Sequence, residues 1–411
     1  MISALFEAIC LLFSVIIAHR GTHPVSMLLS RANEGAGHDS DPLAVAHGRS
    51  TMTTITTFGP QPRDVFERIP AYKPGRRATG VEIAPLASNE SHHEPLPSVL
   101  EAIAEEALRI NRYPDAAVTN LHAKLAEKFG VGADQVVTGP GSIGVLQQLL
   151  ETYCAPGDEV VFAWRSFEAY PLLVEIAGGQ PVMVPLRADE SHDLDAIAAS
   201  ITDRTRIVLL CTPNNPTGVS LSHHDVVRFL DTVPERVLVV IDEAYVEYET
   251  SEDAVDSLAL IAARLNVLAL RTFSKAYGLA GLRVGYAIST PEIIASVRKA
   301  VLTFSVNSLA QRAAIASLDA DHELAARAAE IAGERDRVVA ALADTDWGVL
   351  PSQANFVWIR ASGERNAALS QAFDDAGILT RVFPEDGIRV TLADAATNDR
   401  VIAVLRNTVG E

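Results

Sequence analysis

Lys275 stands just beyond an apolar run over 267–270, joined to it by Arg271-Thr272-Phe273-Ser274. A lysine in a turn ordinarily projects into water as a solubilising charge. This one opens a segment in which Gly278, Gly281 and Gly285 allow close backbone packing and Arg283 brings a second cation. An ε-amine attacks a carbonyl only when uncharged, and a partly desolvated setting beside another cation lowers its pKa toward that form. Arg283 carries the permanently charged planar fork that suits a phosphate.

Further polar groups follow apolar runs in the same way. Asp242 closes the run 237–241 and begins Asp242-Glu243-Ala244-Tyr245. Such an acid could simply cap the next helix. It could equally pair with a protonated ring nitrogen and make that ring an electron sink, with Tyr245 within reach of a ring hydroxyl. Asn215 lies in Pro213-Asn214-Asn215-Pro216-Thr217-Gly218, a turn by composition, and offers an amide donor to a phenolic oxygen. The turn Gly139-Pro140-Gly141-Ser142-Ile143-Gly144 fits G-x-G-x-x-G between a strand-like and a helix-like run. That is the dinucleotide fingerprint, so a nicotinamide-dependent dehydrogenase has to be weighed, although this turn follows a long polar N-terminal segment. The same geometry serves any phosphate, because the backbone N–H groups of Ser142 and Ile143 at a helix N-terminus form an anion site. No Gly-Lys-Ser/Thr occurs, which excludes a nucleotide P-loop.

Bringing these groups together requires elements that end at one edge. Short apolar runs at 136–138, 159–163, 181–186, 206–211, 237–241 and 267–270 alternate with helical stretches such as 145–153. The pattern predicts an α/β fold around a mostly parallel sheet buried on both faces. Ligands of such sheets bind beyond the carboxyl ends of the strands, where Asn215, Asp242, Ser274 and Lys275 fall. Beyond residue 305 the texture changes. An alanine-rich stretch over 309–342 predicts long helices, and strands at 355–359 and 388–392 flank another helix, giving a smaller α+β domain. The expected division is an N-terminal extension at 1–51, an arm at 52–87 packing with the small domain, a large domain at 88–304 and a small domain at 305–411.

Composition narrows the partners. With 34 Lys and Arg against 52 Asp and Glu, the 411-residue chain carries a formal charge of -18, which repels nucleic acid and anionic membranes. Cys10, Cys154 and Cys211 match neither a disulfide framework nor a zinc site and read as buried thiols in a reducing cytoplasm. The adjacent pairs His92-His93 and His223-His224 would not face each other on a helix, and no His-Glu-x-x-His occurs, so no catalytic metal is expected. The apolar run at 8–18 is shorter than the roughly 20 residues of a membrane span and lacks the basic flank of a secretory leader. Residues 21–50 read as disordered by composition. Translation is expected to begin at Met52, or less readily at Met27, with the upstream stretch an artefact of gene assignment.

Taken in order, PNNPTG, DEAY, TFSKAYGLAGLRVGYA, SQANFVW and DGIRVT resemble the fold-type-I, pyridoxal-phosphate-dependent aminotransferases of the histidinol-phosphate aminotransferase group. Within that group the chain is most similar to the actinobacterial aromatic (phenylalanine) aminotransferases, from about residue 60 to the C-terminus. The resemblance implies that Lys275 holds the cofactor as a Schiff base and acts as general acid/base, and that Asp242 pairs with the pyridine nitrogen. It implies that Tyr245 and Asn215 hold the ring hydroxyl, that Ser142, Ile143, Ser274 and Arg283 bind the phosphate, and that Phe167 stacks on the ring. Tyr113 would reach the phosphate from the partner subunit of a homodimer, Arg389 would grip the substrate α-carboxylate, and Asn355, Tyr72 and Asn89 would stand on the substrate side.

One departure bears on the substrate. Histidinol-phosphate enzymes typically carry Asp-Glu after the Gly-x-Gly-Ser turn, whereas Ile143-Gly144 stands here, followed by Val145-Leu146-Gln147-Gln148. Pro140 also departs from the commoner residues, at a position where only backbone contacts are expected. The implied activity is reversible transamination between an aromatic amino acid and 2-oxoglutarate, giving an aromatic oxo acid and L-glutamate. Histidinol-phosphate transamination is the nearest alternative. A nicotinamide-dependent dehydrogenase and an inactive regulator of the same fold are the readings from other classes.

Overall fold

Each apolar run of the first part of the chain becomes a strand. The structure, a computed structural model, describes residues 60–71 and 83–408. The expectations about the start of translation and the extension at 1–51, together with Tyr72, lie outside the described residues. The elements below all belong to one unit, Gln61–Glu411.

In chain order the strands are β1 (Ala84–Pro85), β2 (Val136–Gly139), β3 (Glu159–Trp164), β4 (Gln180–Pro185), β5 (Thr205–Cys211), β6 (Leu238–Asp242), β7 (Val267–Thr272) and β8 (Gly285–Ile288). A second group follows: β9 (Phe356–Arg360), β10 (Ile378–Leu379), β11 (Arg381–Phe383) and β12 (Gly387–Thr391). Seven strands form the main sheet in the order β2-β8-β7-β6-β5-β3-β4. All its pairings are parallel except those of β8, which runs against both β7 and β2. The α/β, mostly parallel sheet expected from the sequence is therefore present. The short strand β8 is the addition, and its direction follows from the tight return that Lys275 to Arg283 makes from the end of β7.

Alternation along the strands separates two apolar layers. Val161, Val208, Leu210, Val239, Ile241 and Ala269 pack into one, and Val160, Phe162, Leu209, Val240 and Leu268 into the other. Fully burying one such Val, Leu or Ile contributes about 1.5–3 kcal/mol. Edge strand β4 is mostly accessible and tolerates Pro181 and Pro185, which could not join a central ladder.

The stretch expected as long helices is two, Ser308–Asp319 and Asp321–Ala341, and the helix Gly363–Asp375 lies between β9 and β10. Strands β11, β12 and β9 form an antiparallel sheet in that order, while β1 pairs in parallel with β10. That last pairing carries residues 86–89 toward β12, where the Thr391 N–H donates to the Leu86 carbonyl across 2.9 Å.

Candidate active site

Two neighbouring strands, β6 and β7, deliver the acid and the lysine. Asp242 is the last residue of β6, opposite Cys211 at the end of β5 and Leu270 on β7. Lys275 comes three residues after β7 ends at Thr272. A cavity of about 220 Å³ opens at these strand ends, lined among others by Ser142, Ile143, Phe167, Asn215, Asp242, Tyr245, Ser274, Lys275, Arg283, Arg389 and Asn89. This is the carboxyl edge, the position the strand pattern predicts.

The surroundings of the lysine favour its neutral amine. Its Nζ donates to the Ser88 carbonyl across 3.0 Å and lies 5.7 Å from the centre of the Tyr245 ring. Burial, then the charge of Arg389 and more weakly that of Arg283, lowers its pKa to about 7, against an upward pull from Glu90. Asp242 is buried, and one oxygen, Oδ2, accepts from the Tyr170 hydroxyl at 2.6 Å. Burial pushes its pKa up to about 6, against the opposing pull of that hydroxyl and of the Ala244 amide. Its other oxygen, Oδ1, is buried without a hydrogen bond of good geometry to any described residue. A carboxylate left in this condition is costly unless a cationic donor meets it.

One end of the cavity is built from backbone. The helix Gly141–Tyr153 starts at the cavity wall, presenting the N–H groups of Ser142 and Ile143. Gly141 has φ +77°, and a Cβ there would overlap the Arg283 guanidinium. A Cβ on Gly285 would run into the Ser142 amide, so β8 can pass this close only as glycine. Arg283 itself sits at φ +58°, a strained conformation for a side-chain-bearing residue, with Nη1 donating to Ser274 Oγ at 3.3 Å and to the Ala280 carbonyl at 2.9 Å.

On the facing side Arg389 donates to Asn215 Oδ1 at 2.5 Å and to the Ala87 carbonyl at 2.6 Å. The remaining polar group of the Asn215 amide is its NH2 donor. Asn89 Nδ2 donates to the Tyr245 hydroxyl at 2.9 Å, and Thr391 Oγ1 donates to Asn89 Oδ1 at 3.0 Å. Phe167 lines the wall and packs edge-on against Tyr170, with centroids 5.5 Å apart.

Two sequence-derived residues lie elsewhere. Asn355 is buried behind Asn89, donating to its carbonyl at 3.3 Å, and does not line the cavity. Tyr113 is 81% exposed and stacks on Phe304 at 4.6 Å, away from the cavity of its own chain. Three groups in or directly behind the cavity wall carry no role predicted from the sequence. Tyr170 bonds Asp242, Ser88 supplies the lysine's acceptor, and Arg381 forms a bidentate pair with Glu168 at 2.7–3.0 Å. Arg381 lies directly opposite Arg389 across the β11–β12 ladder, so both guanidinium groups face one way. Only the hairpin register could have revealed that.

Of the two described thiols, Cys211 is buried as expected and Cys154 is only half-buried; burial and then Asp242 push Cys211 up to about 12, and burial pushes Cys154 to about 11, so both favour the protonated form. The turn Gly139–Gly144 leaves edge strand β2, whose one neighbour in the sheet is the antiparallel β8. A dinucleotide fingerprint needs a parallel βαβ unit there, so the dehydrogenase reading fails.

The family model for aminotransferase class I and II matches residues 81–405. An aromatic amino acid aminotransferase of Thermobifida fusca (strain YX) is 51% identical over 349 residues, covering 84% of this chain and 97% of the relative. One from Streptomyces coelicolor is 49% identical over 352 residues, covering 85% and 98%. Among solved structures, histidinol-phosphate aminotransferase from Sinorhizobium meliloti in complex with pyridoxal-5'-phosphate is 30% identical with a TM-score of 0.75, covering 87% of this chain and 99% of that one.

Proposed function

The chain belongs to the class I and II aminotransferase family, and from that premise we propose that it moves amino groups between aromatic L-amino acids and 2-oxoglutarate with pyridoxal phosphate as cofactor. The observation that carries the cofactor assignment is the pair Lys275 and Asp242: an amine lowered to about 7 shares a cavity with a buried carboxylate oxygen that has no hydrogen bond of good geometry to any described residue. When bound, pyridoxal phosphate supplies an aldehyde for amine exchange and a protonated pyridine ring that withdraws electrons. Asp242 would hold the ring nitrogen and Asn215 and Tyr245 the ring hydroxyl. Ser142, Ile143, Ser274 and Arg283 would hold the phosphate, and Phe167 would cover one ring face.

Lys275 Nζ, with a substantial uncharged fraction near neutrality, would take the proton from Cα of the amino acid and pass it to the aldehyde-derived carbon of the cofactor, and would carry a proton the opposite way in the second half-reaction. Arg389 binds the α-carboxylate through its planar fork. Arg381, neutralised by Glu168 in the absence of a second anion, offers a site for the distal carboxylate of 2-oxoglutarate. The high exposure of Tyr113 fits a homodimer in which it serves the partner's phosphate site. The cysteine usage fits a cytoplasmic enzyme.

Aromatic over histidinol-phosphate specificity rests on the aromatic aminotransferase relatives and on Ile143-Gly144 replacing an acidic pair. Turnover of phenylalanine, tyrosine, tryptophan and histidinol phosphate with 2-oxoglutarate tests it. Aromatic substrates are expected to lead, and a preference for histidinol phosphate overturns the reading.

A further inference from the structure

A second cluster of ligating side chains lies outside the cavity described above. His92 and His93 sit in a bend just before the helix Pro97–Ala107, not on a helix, so the expectation that adjacent histidines point apart does not apply. Their ring centroids are 3.9 Å apart. Glu330, from the helix Asp321–Ala341, approaches the same point, and one ligand atom from each of the three side chains lies within 4.8 Å of the others.

We propose that His92, His93 and Glu330 bind a single divalent cation of the zinc class. The first argument is distance. His93 Nε2 stands 3.7 Å from Glu330 Oε2, beyond hydrogen-bond range, and it is shielded from water with no hydrogen-bond partner. Two donors on one zinc ion, each about 2.0–2.2 Å from it, lie about 3–3.5 Å apart, so a small torsional adjustment brings the pair to metal-bridging separation. The second argument is chemistry. Two imidazoles and one carboxylate suit zinc, nickel or copper rather than magnesium or calcium. Arg327, beside both histidines, opposes a cation here, and Asp394, which lines a cavity with them, favours one. The third argument is access. A cavity of about 600 Å³ lined by both histidines and Asp394 gives the ion a route in and room for bound water.

The ion would not touch reacting atoms. It would tie residues 92–93 to the helix Asp321–Ala341, and that bend continues from Ser88 and Asn89, which hold Lys275 and Tyr245. The site is thus a clamp on one wall of the active site.

Zinc titration calorimetry on tag-free, chelator-treated holoenzyme tests the proposal. One equivalent is expected to bind at micromolar or tighter concentration, and His92→Ala and Glu330→Gln should each weaken it by about 10–100-fold. Both variants should keep the wild-type melting temperature and metal-free turnover. Cobalt in place of zinc should show a visible band that His92→Ala abolishes. Absence of stoichiometric zinc binding, or binding unchanged in both variants because other histidines hold the ion, overturns the assignment.

Discussion

The Tyr170 hydroxyl donates to Asp242 Oδ2 across 2.6 Å between two buried side chains, so the acid at the end of β6 is held from the side by a residue of the helix Ala169–Ala177. The same tyrosine packs edge-on against Phe167 and so braces two walls of the cavity.

Tyr170→Phe removes a hydrogen bond to a charged group, which costs about 1.5–3 kcal/mol. Between pH 3.8 and about 6 the folded protein binds more protons at Asp242 than the unfolded chain, so stability falls as pH rises through that window. In the variant the folded pKa rises further and the decline continues above 6. Urea unfolding of cofactor-free protein should therefore show a larger wild-type–variant gap at pH 8 than at pH 5. Equal gaps would contradict the role given to Tyr170.

The lowered pKa of Lys275 makes a separate prediction. In cofactor-free protein its labelling by a trace acylating reagent should rise with pH around a midpoint near 7, far below the ordinary 10.5. Between those values the unfolded chain binds more protons, so this residue makes stability increase with pH. Arg389→Gln removes the charge that lowers it most and should move the midpoint upward. A midpoint above 9 in the wild type would refute the neutral-amine account. Lys275→Ala should cut transamination by at least about 10²–10⁴-fold.

Arg283→Gln should weaken pyridoxal phosphate binding by about 10–100-fold, the effect of losing a charge-assisted contact of 1.5–3 kcal/mol. Gly285→Ala should weaken it too, because the new methyl displaces the Ser142 amide rather than removing a charge. Spectrophotometric titration with the cofactor at two salt concentrations separates them: the Arg283 deficit shrinks in high salt and the Gly285 deficit does not.

Arg381→Gln should raise KM for 2-oxoglutarate by about tenfold or more while changing KM for phenylalanine little, since only the dicarboxylate offers a second anion. Single-turnover measurements of each half-reaction read this directly. Equal loss for both substrates would assign Arg381 a structural task.

Mixing Tyr113→Ala with Lys275→Ala subunits should restore activity that neither variant has alone, because a hybrid dimer contains one site with both side chains intact. No recovery after confirmed subunit exchange would remove Tyr113 from the partner's site.

The sequence alone determined the α/β class, six of the seven main-sheet strands and most of the cavity lining. Short continuous apolar runs rich in β-branched residues and bounded by turns read as buried strands, and groups such as Asn215, Asp242 and Lys275 sit within a few residues of their ends, which places them at one edge of the sheet. What it left open depends on pairing between distant segments. Arg381 becomes a neighbour of Arg389 only through the β11–β12 register, and Ser88 reaches Lys275 only because 86–89 is carried alongside β12. Tyr170 meets Asp242 only when helix and sheet have packed. Local spacing encodes which face a residue occupies, but contacts between elements are set by register and packing, which no single stretch of the chain contains.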